Sequence, residues 1–270
     1  MTSAEAIAKP ARPGGARRSL AARALRSPAL GGLVSLVVLA AVLEVAIVAD
    51  VVSDQAVALP SATLAAIPDL YYEAHIIHAF LVTLGMTAAA TAIAVLIGVP
   101  FGWLLWRNWT LGEAYESWLA AAFSAPLVLL YPLFLVLIGR NHMTLIVMGF
   151  IPGTIPIIIQ TRQGLLAVSR TLINVGRSFH IDRGTMFWKI MLPAAVPNIF
   201  SGIRLGVMYT LVSVVAIEYL TDFGGLGRVV SDQYFLYRIP GTYAGILFVV
   251  LVSVLFYWAS GRIERWLRPA

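Results

Sequence analysis

The sequence predicts an all-α membrane protein with six transmembrane helices. Three observations carry that expectation. Hydrophobic residues make up 60% of the 270-residue chain and charged residues 12%, about half the charged share of a soluble domain. The mean hydropathy is +0.86. The apolar residues also gather in blocks of roughly twenty, long enough to cross ~30 Å of hydrocarbon as helix.

Residues 1–27 are basic and interrupted by Pro and Gly, as in ARPGGARRSLAARALRSP, which predicts a disordered tail. The first span is expected over residues 30–49. Its basic lead-in is too long and its apolar core too extended for a cleaved signal peptide, and no small-residue cleavage site follows, so the helix is expected to be retained. The other spans are expected over 78–105, 118–138, 143–160, 197–217 and 243–260, within one transmembrane domain covering 28–270. Pro126, Pro132, Pro152 and Pro156 interrupt the third and fourth. Prolines at that density bend helices so that they line cavities or rock as bundles.

Charge sets the expected orientation. With the N-terminus in the cytoplasm, fifteen of the 19 Lys and Arg fall on that side. Arg140, Arg228 and Arg238 fall outside, Arg204 lies within a span, and residues 50–77 contain neither Lys nor Arg. Both termini are therefore expected to face the cytoplasm. The net charge of +6 serves this orientation; no separate basic domain is present for nucleic acid. The chain has no cysteine, hence no disulfide framework, thiolate metal site or cysteine nucleophile.

One cytoplasmic stretch does not suit a span. Leu165, Val168, Leu172, Val175 and Phe179 step by three and four residues and form one apolar stripe, with Arg170, Asn174 and Arg177 off it. His180-Ile181 breaks the pattern, and Asp182 is placed to N-cap a second short helix. That helix carries Met186, Phe187, Trp188 and Ile190 and is expected to end at Pro193. Periodicity alone leaves two readings open: a loop lying on lipid headgroups, or a docking element for a cytoplasmic partner.

This stretch, RSFHIDRGTMFWKIMLP, resembles the coupling loop of ATP-binding-cassette importer permeases. The family motif runs Glu-Ala-Ala, three residues, Gly, nine residues, Ile, one residue, Leu-Pro. On this chain the triplet falls on Asn174, Val175 and Gly176 and the glycine on His180, while Ile190, Leu192 and Pro193 match. PAAVPNIFSGIRLG, AIEYLTDFGGLG and LPSATLAAI are similar to the nitrate/sulfonate/taurine branch, and the likeness covers about residues 60–265. Asn174 departs from the usual acid. His180 departs from the glycine that accepts positive φ without penalty.

The resemblance implies a type I importer permease half with a coupling loop over about 161–192, which also includes Arg177 and Asp182. It further implies a cytoplasmic ATPase dimer on that loop, a second permease subunit, identical or homologous, and an extracytoplasmic solute-binding protein near residues 222–238. The expected cargo is a small organic or inorganic anion. No cofactor is expected in this chain: its two lysines follow Ala8 and Trp188, so neither belongs to a phosphate loop. ATP and Mg would sit in the partner, and the chain itself is expected not to be an enzyme.

Polar residues inside the spans leave alternatives open. Glu44 serves either a substrate or proton path or pairing within the bundle. Arg204, where the family tends to keep arginine, is either a helix-to-helix tether or a charge lining the pathway. Glu218, where the family has an acid, is either an interfacial cap or a gate. Gly224, Gly225 and Gly227 predict a tight re-entrant turn. Trp103, Trp106, Trp109, Trp118 and Tyr115 are expected to form an interfacial aromatic belt. His75 and His78 lie three apart but lack a third ligand, so interfacial structural roles are expected and no metal. The rival functions are an ATP-independent secondary transporter and a membrane-embedded metal or redox protein using His75, His78 and Glu44.

Overall fold

The computed structural model describes residues 28–267. The tail expected over 1–27 lies outside the described residues. The chain divides into two units at residue 60. In the first, α1 (Pro28–Val48) is a single 21-residue helix carrying Glu44 near its C-terminal end.

The second unit begins with two short helices, α2 (Pro60–Ala65) and α3 (Ile67–Tyr72), followed by the long α4 (Ile76–Arg107). After α5 (Trp109–Ser124) come a 3₁₀ turn (Leu127–Leu130), α6 (Tyr131–Ile138) and α7 (His142–Leu166). Two short helices follow, α8 (Arg170–Ser178) and α9 (Arg183–Met186), then a π-helical turn (Phe187–Met191) and α10 (Leu192–Leu220). The described chain closes with α11 (Leu226–Phe235) and α12 (Ile239–Leu267). Among the described residues, five helices are long and apolar enough to cross a membrane, or six if one bent pair counts as a span.

That bent pair is the expected third span, and it is not one helix. α5 and the segment Leu127–Ile138 meet at 84°. The break falls at Pro126, which lacks an N–H and holds Ala125 in extended backbone, φ −73° and ψ 138°. Pro132 begins α6 harmlessly at its first turn, and Pro152 and Pro156 lie inside α7 without interrupting it.

The core forms where α7 packs along α10 and α4, the two most extensive helix pairs. Small residues allow the approach. A Cβ on Gly206 would stand 2.7 Å from the Gly153 carbonyl oxygen, and one on Gly102 would stand 2.7 Å from that of Ile158. In a bundle without a hydrophobic drive between lipid-bathed helices, such backbone proximity supplies the packing attraction.

The expectation that a second short helix ends at Pro193 is also corrected. Residues Arg183–Leu220 run on as one 38-residue helix. Its π turn explains how: the Leu192 N–H donates to the Phe187 carbonyl, five residues back. The proline, with no N–H to offer, then sits where the hydrogen-bond spacing is already changing.

Candidate functional site

The site is the two-helix segment between α7 and α10. Ser169 opens α8 by accepting the Leu172 N–H at 3.3 Å. The helix closes with two bonds: Ile181 N–H donates to the Gly176 carbonyl at 3.2 Å, and His180 N–H to that of Arg177 at 2.9 Å. This is a Schellman ending, and His180 occupies its left-handed position at φ 53°. The residue aligned with the family glycine thus adopts the conformation for which glycine is favoured.

Asp182 then caps α9, its carboxylate accepting the Thr185 N–H at 2.9 Å. That backbone hydrogen bond holds the carboxyl below the usual carboxylate range.

Gly176 is buried against the following helix; a Cβ there would meet the Met186 methyl at 2.5 Å and the Ile190 Cδ1 at 3.0 Å. Phe187 continues this inward face and reaches the end of α4. Its ring stacks on Trp106, with centroids 5.8 Å apart, and tilts against Trp103 at 6.1 Å. Leu192, Met191 and Ile173 pack on the same buried cluster of Leu165, Val168, Ala195 and Ile199. The segment is therefore held at once by α4, α7 and α10. Trp103 and Trp106 form the seat of this segment, whereas Trp109 and Trp118 are exposed.

The single stripe expected from Leu165 to Phe179 does not exist as one face. Leu165 and Val168 are buried, but Leu172, Val175 and Phe179 are 46%, 49% and 76% exposed. α7 ends at Leu166 and Ser169 starts a new helix, which resets the phase. An apolar face is thus left open on α8, beside the exposed side chains of Asn174 and Arg177.

A buried arginine paired with two half-exposed glutamates, missed in the sequence, braces the neighbouring helix ends. Arg162 of α7, only 8% exposed, reaches Glu116 at 2.8 Å and Glu113 at 3.0 Å on α5. Glu113 and Glu116 lie three apart and so share a helix face. That spacing was the legible signal; the partner 46 residues away was not.

The span residues fall apart into separate places. Arg204 pairs with Glu264 of α12 at 3.3 Å and lies 3.7 Å above the Tyr257 ring, a tie between α10 and α12. Glu218 is fully buried. The Thr83 hydroxyl donates to it at 2.8 Å, the Gly227 N–H donates at 3.1 Å, and the Leu226 N–H donates to the Thr83 oxygen at 2.9 Å. Together they anchor the start of α11, which follows a turn with Gly224 and Gly225 at φ near +90° (87° and 89°). Glu44 belongs to the first unit. Among the described residues no cluster of three metal-ligating side chains occurs; His75 and His78 line an open aromatic cleft with Tyr71 and Tyr72.

A bundle of apolar helices interrupted by a capped, two-helix segment pinned to three of them defines an all-α polytopic membrane protein. The sequence profile of the binding-protein-dependent transport system inner membrane component family matches residues 94–269, and the chain belongs to that family. It is the multi-pass permease subunit of an ABC importer of the inner membrane. A probable ABC transporter permease protein of Brucella melitensis is 26% identical over 64% of this chain and 72% of its own length. The nitrate import permease protein NrtB of Synechocystis sp. is 28% identical over 70% of this chain and 68% of its own. In fold, the chain is similar to the MetNI methionine ABC transporter in an inward-facing conformation, with TM-score 0.62 and 22% identity over 71% of this chain and 95% of that one.

Proposed function

We propose that this chain lines half of a translocation pathway for a small anion and moves in response to a cytoplasmic ATPase pair docked on residues 170–192. A second permease subunit, identical or homologous, completes the pathway. A solute-binding protein delivers cargo to residues 222–238 on the opposite side, and both termini face the cytoplasm.

The observation that carries this reading is the two-sidedness of α8. Leu172, Val175 and Phe179 are exposed, while Gly176 and Ile173 turn inward onto Met186, Ile190 and the Trp103–Phe187 cluster. An exposed apolar helix face suits a groove on a partner, and a rigid seat on three spans suits transmission of its movement. In this reading Asn174, Val175 and Arg177 form part of the contact surface. His180, Asp182, Ile190, Leu192 and Pro193 hold its shape. Glu218 and Arg204 tether helices, and ATP with Mg belongs to the partner. The nitrate specificity named for the Synechocystis relative supports an anionic cargo.

The test is co-purification of the tagged full chain in mild detergent, with mass spectrometry of what accompanies it. A protein bearing a phosphate loop is expected with wild type and lost with Leu172→Asp plus Phe179→Asp, while the variant still inserts in the membrane. Retention of that ATPase by the variant defeats the docking assignment.

A further inference from the structure

Behind the segment assigned to docking lies an open cleft of about 1380 Å³. Val99, Trp103 and Trp106 of α4 form one wall, and Phe187 and Leu192 face into it. Three cations also line it, Arg107, Arg177 and Arg183, and no carboxylate does. All three arginines are exposed. Among the described residues none of them is ion-paired.

The cleft is therefore amphipathic in an ordered way. Arg107 is the last residue of α4, a helix apolar enough to cross the membrane, and its guanidinium lies 5.4 Å from the Trp103 ring centre. Val99 and Pro100 lie up to eight residues back along that helix, or ~12 Å at 1.5 Å per residue. Cations thus stand at the level where a transmembrane helix meets headgroups, and apolar wall extends toward the hydrocarbon. A soluble anion would use only the first part; an amphiphile with an anionic head uses both.

We infer that this cleft binds an anionic phospholipid of the adjoining leaflet, its phosphate among Arg107, Arg177 and Arg183 and an acyl chain along Val99, Trp103 and Phe187. The apolar face proposed to meet the ATPase lies outside the cleft, and Arg177 alone belongs to both surfaces. Leu172, Val175 and Phe179 do not line the cleft, whereas Ile173 and Arg177 do. The inference goes beyond the docking assignment, and the bound lipid would wedge between α4 and the segment that α4 seats.

The experiment uses the purified full chain alone, in neutral detergent, with equimolar phosphatidylglycerol and phosphatidylcholine, read by native mass spectrometry. Wild type is expected to retain phosphatidylglycerol in excess. Arg107→Gln should lower the ratio of phosphatidylglycerol to phosphatidylcholine roughly fivefold, the worth of one arginine at an anionic surface, and Arg107→Lys should keep most of it. Equal retention of the two lipids by wild type overturns the inference, and so does an unchanged ratio in Arg107→Gln. Displacement by glycerol phosphate at the same concentration as lipid also overturns it, because the apolar wall would then contribute nothing. If Arg107→Gln does not purify, the wild-type headgroup comparison still decides. Arg107 lies outside residues 170–192 and no ATPase is present, so failure here leaves the docking assignment untouched, and the reverse holds.

Discussion

Trp106, in the last turn of α4, stacks on Phe187, the first residue of the π turn, at 5.8 Å and an interplanar angle of 29°. This contact joins a membrane-spanning helix to the two-helix segment proposed as the docking site, although 81 residues separate the two in sequence. Trp106→Ala should therefore loosen transmission more than assembly. Full burial of a tryptophan makes its loss cost roughly 3–5 kcal/mol. Trp106 is only partly buried, so about 2 kcal/mol is expected, read as a lower Tm in detergent. In proteoliposomes the ratio of solute moved to ATP hydrolysed should fall.

The Thr83–Glu218 pair should behave as a tether whose loss frees the start of α11. Thr83→Val keeps the volume but removes the hydroxyl that serves both the carboxylate and the Leu226 N–H. Leaving such buried groups unsatisfied costs about 1–3 kcal/mol. Glu218→Gln retains one acceptor oxygen and should cost less than Glu218→Leu. Thermal unfolding ranks the three, and hydrogen exchange should rise first at residues 225–229.

Arg162 allows a separation of single from paired losses. Glu113 and Glu116 are about half exposed, so Glu113→Gln or Glu116→Gln alone should cost no more than roughly 1 kcal/mol, the other carboxylate remaining. The double substitution leaves the buried guanidinium without a carboxylate and should exceed the sum of the singles. A double-mutant cycle in Tm checks the excess.

Two substitutions test the turn between α8 and α9. His180→Gly should be tolerated or raise stability by about 1 kcal/mol, because it relieves a left-handed backbone. His180→Val, β-branched in that region, should lower it. Both are read by expression and Tm.

At Asp182 the folded-state pKa is depressed by the Thr185 N–H. Its contribution is therefore present above the ordinary value of 3.8 and is lost as pH falls through the lower folded value. Asp182→Asn keeps a capping oxygen but cannot titrate, so it should flatten that acidic fall in stability without changing stability at neutral pH.

Much of this was readable in one dimension because it depends on neighbours along the chain. The helices long enough for hydrocarbon, the Asp182 cap and the turn at His180 all follow from local pattern and backbone preference. Other features did not. The tryptophans around residue 106 read in sequence as a membrane belt, since an aromatic beside an apolar run suits headgroups, and nothing along the chain shows that two of them pack on Phe187. Glu113 and Glu116 read as ordinary helix-surface acids until Arg162 arrives beneath them. Pro193 reads as a terminator because proline lacks an N–H, yet a π turn absorbs the defect.

By itself, the sequence determined the membrane class, the family and the place of the capped two-helix segment, since length, charge distribution and motif spacing are properties of the chain. Only the tertiary structure decided which apolar face of that segment stays open and which is seated. It also decided that Glu218 is buried in a tether and that Arg204 is committed to Glu264. Those outcomes depend on which helices meet, and helix pairing rests on close approach at residues such as Gly153 and Gly206, whose effect appears only when two backbones come together.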